Sequence, residues 1–484
     1  MKLWLTRRVY VSWLIAVFAG AVSAGVVAAG DVKPDYFYSY AWLMVGLALT
    51  VIGFWRQRRW VVVVLIIGGG LIGLWRGSIV RYDGLVYETL LGQTLTIRGK
   101  VLEDADVSHQ GQTVLRMGKL SEHGRALPGK LWVTTKRTDT IKRSDIVTVR
   151  GKIKPGFSSF SGAVYRAELV GHERAAGQDM AREVRDKFSD NVRGAVGEPE
   201  ASLGLGFLTG QRRGLPPDLQ EALKIAGLTH IIVASGYNLT ILIRIARRAF
   251  AKSSKYLATA VPAVLIVGFI AVTGLSPSMS RAGLVAGLSL LAWYYGRKFH
   301  PAVLLALVAA ASLLVDPSYG WGDLGWYLSF AAFVGVMVVG PLMNAYFYGE
   351  HKPILPIQIA FETTAAFITT LPIIVVSFGQ ISNVAILTNM LILPFVPLAM
   401  LGIFVVGLAA LVHGGLGELL GEPVSWLLGY MVHVAEFAAG LNWAQTEYEA
   451  PFWQLLVFYG ALGAVCFYFW KVTHYRLGAS NIIE

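Results

Sequence analysis

Residues 227–239 read GLTHIIVASGYNL, which sets Thr229, His230, Ser235 and Asn238 inside an apolar run of membrane-spanning length. Polar side chains at bilayer depth are costly to bury, so they face a cavity, a partner helix or a solute that passes through. Hydroxyl, imidazole and amide groups can donate and accept hydrogen bonds along such a route. Ser235–Gly236 adds a weak point in the helix, where freed carbonyls can turn toward the same cavity. Catalytic chemistry is poorly supplied by comparison. The nine histidines are scattered, with no HxHxDH or HExxH spacing, and no G-x-x-x-x-G-K-[ST] loop is present. The sequence therefore predicts no catalytic residue, no metal site and no cofactor.

Those residues need a scaffold, and composition defines it. With 55% hydrophobic and 15% charged residues, and repeated apolar runs of about 17 to 25 residues, the chain reads as a polytopic α-helical membrane protein. The first run is long and is followed by others, so it reads as a retained helix rather than a secretory signal. The single cysteine, Cys466, falls in the last apolar helix and reads as packing, since one thiol builds neither a disulfide framework nor a thiolate metal site.

The formal charge of +12 matters through its placement, because Lys and Arg near span ends favour the cytoplasmic side. Arg7 and Arg8 predict a cytoplasmic N-terminus. Spans follow at 10–30, 39–55 and 60–76, with the basic Arg56, Arg58 and Arg59 in a cytoplasmic turn. Nine more are expected at 228–246, 256–274, 281–296, 299–315, 321–345, 355–376, 383–411, 422–440 and 452–470. Alternation over about 12 spans puts the basic groups at Arg247–Lys255, Arg297–Lys298, Lys352 and Lys471–Arg476 inside. The turns near Asp316, Gly379 and Glu447 fall outside, and both termini inside. Segment 281–296 is short and 383–411 is interrupted by Pro394 and Pro397, so either can be a broken or re-entrant helix.

Between the third and fourth spans the pattern changes to short alternating runs, TLTIRGKVL, QTVLRMGKL, KLWVTT and DIVTVRGKI, separated by turn residues. Their number and the segment's length predict an extracytoplasmic β-barrel like the oligonucleotide/oligosaccharide-binding (OB) fold, with "R-G-K" at 98–100 and 150–152 on two strands. Its basic excess includes Arg98, Lys100, Arg150 and Lys152 and suits a polyanion, although a solvated face or anionic headgroups account equally well for any one residue. Aromatic partners for base stacking are few: Trp132, Phe157, Phe160 and Tyr165. Beyond the barrel, AREVRDKFSDNVRGAV spaces Val184, Phe188, Val192 and Val196 at i, i+4 steps, predicting an amphipathic helix on the outer membrane surface. The expected parts are a three-helix segment (1–77), the OB-like domain (78–177), the amphipathic helix and loop (178–226) and a multi-span core (227–484).

At 201–239, ASLGLGFLTGQRRGLPPDLQEALKIAGLTHIIVASGYNL closely resembles the signature region of the ComEC family, bacterial competence channels that admit single-stranded DNA across the inner membrane. TGLSPSMSRAG, WGDLGWYLSFAAFVGV and FGQISNVAILTNMLILP extend the resemblance, and so does the order of parts. It implies an inner-membrane channel for DNA uptake in natural transformation. Thr209, Gly210, Arg213 and Gly214 would belong to the loop before the core, and His230, Ser235 and Gly236 to its first helix. Asn238 stands where the family usually has histidine, so a polar lining is kept and a protonatable group is not. Many members continue into a metallo-β-lactamase-like domain. Here the sequence ends at Glu484, about a dozen residues past the last span, and the expectation is a channel without nuclease activity. Implied partners are single-stranded DNA, membrane lipids, an external DNA receptor, a separate nuclease and a cytoplasmic ATP-driven translocase.

Two further candidates are Arg281, at a span's outer end as a phosphate contact or a snorkelling residue, and Asn389, as path lining or helix–helix glue. Two other classes stay open at this stage. A membrane glycosyltransferase or ligase for lipid-linked sugars needs an essential acid or Arg–His pair in a long external loop, which residues 247–484 do not show. A non-conducting scaffold would tolerate replacement of His230, Ser235, Asn238 and Arg281.

Overall fold

The computed structural model describes residues 10–475 apart from 57–59, 109–110, 139, 175–176, 178, 212–213, 233–235, 275, 298–299, 350 and 352. Contacts divide the chain into two units, residues 1–176 with 299–327, and 177–298 with 328–484.

In the first unit, helices α1 (Val11–Ala28), α2 (Tyr40–Arg56) and α3 (Val61–Gly84) form from uninterrupted apolar runs that satisfy their backbone groups internally. Glycines bring α1 and α3 together. A Cβ on Gly25 would sit 2.3 Å from the Gly70 carbonyl oxygen, and one on Gly73 would sit 2.2 Å from that of Val22. A later helix, α12 (Pro301–Val315), packs on α1 through Ala19, Val22 and Ala310. Its C-terminal carbonyls on Leu314 and Val315 accept from Arg76 of α3 at 2.8 and 3.1 Å. Trp321, in the 3₁₀ turn Pro317–Trp321, donates to the Val26 carbonyl at 2.8 Å. The ends of α1 and α12 and the later part of α3 therefore meet at one level. The Trp13 and His300 rings lie 5.0 Å apart, tilted by 50°, near the two helix starts.

After a short helix α4 (Val86–Leu90) come strands β1 (Thr94–Val101), β2 (Asp106–Val107), β3 (Thr113–Glu122), β4 (Arg125–Leu127), β5 (Leu131–Thr135), β6 (Ile146–Pro155) and β7 (Gly162–Glu173). The pairing order β1-β6-β7-β5-β3 closes through β1–β3, and β5 runs parallel to β7. The result is a closed five-stranded barrel with two short extra strands on β3, as expected of an OB-like domain. Alternation explains the R-G-K repeats. Arg98 pairs with Thr148 and Thr96 with Arg150 on the outer face, while Gly99 and Gly151 turn inward. A Cβ on Gly151 would sit 2.4 Å from Val164, so the inner position has no room for one. Asp145, buried at the end of this sheet, accepts from His172 Nε2 at 2.7 Å, Arg174 Nε at 2.8 Å and the Lys142 amide at 2.8 Å. Burial alone would raise its pKa, but the hydrogen bonds from Arg174, Lys142 and His172 hold it down at about 2.

The second unit continues with α5 (Met180–Ala195), α6 (Glu200–Thr209), α7 (Pro217–Ile225), α8 (Thr229–Ile232), α9 (Gly236–Phe250), α10 (Leu257–Thr273) and α11 (Pro277–Tyr294). Helix α13 (Leu324–Val334) crosses the division between units and runs through a π turn into α14 (Gly340–Tyr348). Then come α15 (Leu355–Phe378), α16 (Ala385–Ile392), α17 (Val396–Val412), α18 (Gly414–Ala439) and α19 (Phe452–Thr473), with a small ribbon of β8 (Gln380–Ser382) and β9 (Gln445–Glu447). The interruption expected at Pro394 is a 3₁₀ turn, Leu393–Phe395, between α16 and α17.

Helix α5 meets its expectation in part. Of the apolar stripe, Phe188, Val192 and Val196 are covered, but Val184 is 66% exposed, and Arg182, Arg185 and Ser189 are buried as well. The helix packs against α17 and α18, where Phe188 fills the space over Gly407 and Ala195 meets Gly421.

Among the described residues six helical segments are long and apolar enough to cross a membrane: Val11–Ala28, Val61–Leu90, Leu324–Tyr348, Ile357–Phe378, Ala385–Val412 and Phe452–Thr473. Tyr40–Arg56, Leu257–Thr273 and Pro301–Val315 are shorter apolar helices. Three expected segments match neither set. One, at 228–246, includes residues 233–235, which lie outside the described residues; the other two, α11 and α18, carry charged residues, including Arg281 and Glu436.

Candidate functional site

The chain reverses direction just before the polar cluster. Helix α7 ends at Ile225, and Gly227 at φ 72° lets the Leu228 amide return to the Leu223 carbonyl at 2.8 Å. A side chain there would be strained and would collide, since its Cβ would sit 2.5 Å from that of Ala385. The exposed carbonyls of this turn are claimed by α16 and β8: Thr388 Oγ1 donates to Ala226 at 2.7 Å, and Ser382 Oγ donates to Ile225 at 2.6 Å. The turn leading to His230 is thereby fixed to the segment carrying Asn389.

His230 sits on the four-residue α8 and is exposed. Ser235 lies outside the described residues. At Gly236, which opens α9, a Cβ would be 3.0 Å from that of Ala282, the neighbour of Arg281. Arg281 is only 2% exposed, one turn into α11, whose start is set by Ser276 accepting from the Met279 amide and by Pro277. It is buried and does not snorkel to a surface. Asn238, fully buried, donates Nδ2–H to the Phe207 carbonyl of α6 at 2.9 Å. Asn389 donates to Ala385 one turn earlier at 2.7 Å, and its Oδ1 has no hydrogen-bond partner among the described residues.

The structure thus places His230, Asn238, Arg281 and Asn389 on α8, α9, α11 and α16, with Gly236 of α9 against Ala282 of α11 and the turn before α8 bound to α16. Arg213 lies outside the described residues. Arg98, Lys100, Arg150 and Lys152 belong to the barrel in the first unit. There Arg98, Arg150 and Lys152 are exposed and Lys100 half-buried, and Arg98 is paired with Glu173 at 2.7 Å. Glu168 lies opposite Arg150 on β7, so acids interrupt this basic face.

Sequence reasoning missed three residues. Arg182, Arg185 and Arg247 are buried in the helical unit alongside Arg281. Among the described residues of that unit every buried charged side chain is an arginine, and no carboxylate is buried. The i, i+3, i+7 spacing of Arg182, Arg185 and Ser189 was a signal, since it places them on one helix face. Arg247 lies over the Trp293 ring at 5.2 Å, a pairing with no sequence signature.

A membrane-type helical protein with an attached β-barrel and a polar, arginine-containing helix junction is the class these features define. A sequence model of the family described as competence protein matches residues 207–472, more than half of the chain, and the chain belongs to that family, as its ComEC resemblance implied. Comparison with curated proteins and with solved structures finds no match. The family indicates a role in DNA uptake during transformation.

Proposed function

We propose that this chain is the inner-membrane channel through which single-stranded DNA enters during natural transformation, the basic barrel receiving the strand and the helical unit conducting it. One observation carries the reading: among the described residues of the helical unit the buried charges are arginines, Arg182, Arg185, Arg247 and Arg281. A polyanion passing through a low-dielectric interior needs fixed positive charge and hydrogen-bond donors, and is repelled by carboxylates. Arg281, whose neighbour Ala282 packs on Gly236 at the start of α9, is the proposed phosphate contact. Asn238 and Asn389 supply amides, His230 and Ser235 line the path, and Arg213 is assigned to its mouth. On the barrel, Arg98, Lys100, Arg150 and Lys152 form the proposed receiving face. The channel does no chemistry of its own; a separate nuclease, an external DNA receptor and a cytoplasmic ATP-driven translocase complete the machine.

We further propose about 12 crossings with both termini cytoplasmic and the barrel outside. Helix-end meetings support this topology. The ends near Ala29, Arg81 and Asp316, which charge alternation places on one side, are joined by Arg81 donating to Ala29 at 3.4 Å and Arg76 to Leu314. The turns at Gly379 and Glu447, likewise placed on one side, pair as β8 and β9. Trp13 with His300 and Tyr346 with Phe469 pair residues assigned to the opposite side.

The test is entry of labelled DNA into the cytoplasm at matched protein levels. Arg281→Ala and Ser235→Leu are expected to lower import about tenfold or more, equivalent to roughly 1.4 kcal/mol on the barrier. Normal import by both variants would remove the channel-lining assignment.

A further inference from the structure

The barrel carries an aromatic cluster to which the proposed function gives no role. Trp132 of β5 stands edge-on to Phe157 and Phe160, with ring centroids 5.4 and 5.2 Å away. Both phenylalanines come from the loop joining β6 to β7. That loop is closely fitted: the Ser161 amide donates to the Lys130 carbonyl at 2.8 Å, and a Cβ on Gly156 would sit 2.0 Å from the Phe160 carbonyl oxygen. Phe157 is nevertheless 43% exposed.

The position of the loop identifies what covers it. Lys130, beside the cluster, is bound to Asp316 at 2.5 Å, one residue past the apolar helix α12. Ser158, within the loop, donates to Asp323 at 3.2 Å. Tyr87 of α4 donates to the Pro128 carbonyl at 2.8 Å, so the same end of the barrel also meets the continuation of α3. The aromatic loop is therefore level with the end of α12, where Val315 is 77% exposed and Trp321 binds the end of α1. Ends of apolar spans mark the depth at which hydrocarbon gives way to headgroups, and aromatic rings are enriched there.

We propose that Trp132, Phe157 and Phe160 insert into the phospholipid headgroup layer and anchor the barrel to the bilayer surface. A nucleic-acid strand is disfavoured at this place. Arg116, the cation over Trp132 at 5.4 Å, is held by Glu103 at 3.2 Å and Asp106 at 2.8 Å, and Lys130 is held by Asp316. The cluster offers apolar surface and almost no free positive charge for a phosphate. This inference rests on membrane insertion of the helices and not on DNA transport, so the two can fail separately.

The chain's single cysteine makes the test direct. With Cys466→Ala as background, a nitroxide is placed at Phe157→Cys, at Ser159→Cys, which keeps all three rings, and at Lys136→Cys beyond the opposite end of β5. The full chain is reconstituted in phosphatidylethanolamine–phosphatidylglycerol vesicles. Collision with oxygen and with a water-soluble nickel chelate is then measured by power saturation. Labels at 157 and 159 are expected to favour oxygen over the chelate several-fold more than the label at 136. Equal, water-like collision at all three sites would overturn the proposal, as would immobilisation of the 157 and 159 labels by a thymidine oligonucleotide instead of by lipid.

Discussion

Single residues divide into those whose role was visible in their type and those that depend on their surroundings. His230, Asn238 and Arg281 were conspicuous because polar groups are rare in apolar runs. Their company was not: nothing in the sequence says that Asn238 meets the Phe207 carbonyl, or that Gly236 packs on the neighbour of Arg281. Asp145 was not singled out at all, since a lone acid before a strand is ordinary. In the barrel it gathers His172, Arg174 and the Lys142 amide, and its pKa of about 2 lies below the ordinary 3.8. A depressed carboxylate stabilises the fold above its unfolded pKa and loses that contribution as pH falls through the folded value. The window is thus pH 4 down to 2, and the contribution about 2 kcal/mol. Hydrogen exchange of barrel amides in the intact chain should rise as pH is lowered through that window, after correction for intrinsic rates. In Asp145→Asn exchange should be faster already at neutral pH and change less on acidification. A wild-type barrel equally protected at both ends of the window would contradict the assignment.

At the level of elements, periodicity located strands and long helices well, because alternation of period two and unbroken apolar runs are local signals. For α5 it succeeded in part: Phe188, Val192 and Val196 are covered, but burial of Arg182 and Arg185 was not visible, because the partner surface is made by Gly407, Gly417 and Gly421 on α17 and α18, far away in sequence. In the barrel the R-G-K repeats acquire two distinct meanings, glycine for the interior and the cations for the exterior. Gly151→Val should therefore destabilise the barrel by about 1–3 kcal/mol through overpacking. Arg150→Gln, on the outer face, should change stability by less than about 0.5 kcal/mol. Thermal unfolding of the two variants checks this, and equal stability would show that Gly151 does not face a filled interior.

For the whole molecule, hydropathy located most of the helical segments. Nine of the twelve expected segments coincide with apolar helices, and the other three are the ones that carry polar or charged residues. The sequence could not reveal that α12 and the turn after it group with the N-terminal helices and barrel, because that depends on contacts such as Lys130–Asp316, 186 residues apart. Burial of Lys130 opposes its charge, yet the neighbouring Asp316 carboxylate and Tyr319 raise its pKa above the ordinary value, so the ammonium is kept through physiological pH. The central claim is that a DNA strand passes the junction around α8, α9, α11 and α16. The most direct test replaces His230 with a photoreactive phenylalanine analogue and illuminates cells during uptake of labelled DNA, with the same analogue at Phe437, which is 75% exposed on α18, as a control. The account predicts a covalent adduct between the protein and single-stranded DNA at position 230 and none at 437. Continued DNA import with no adduct at 230, or equal adducts at both positions, would contradict it.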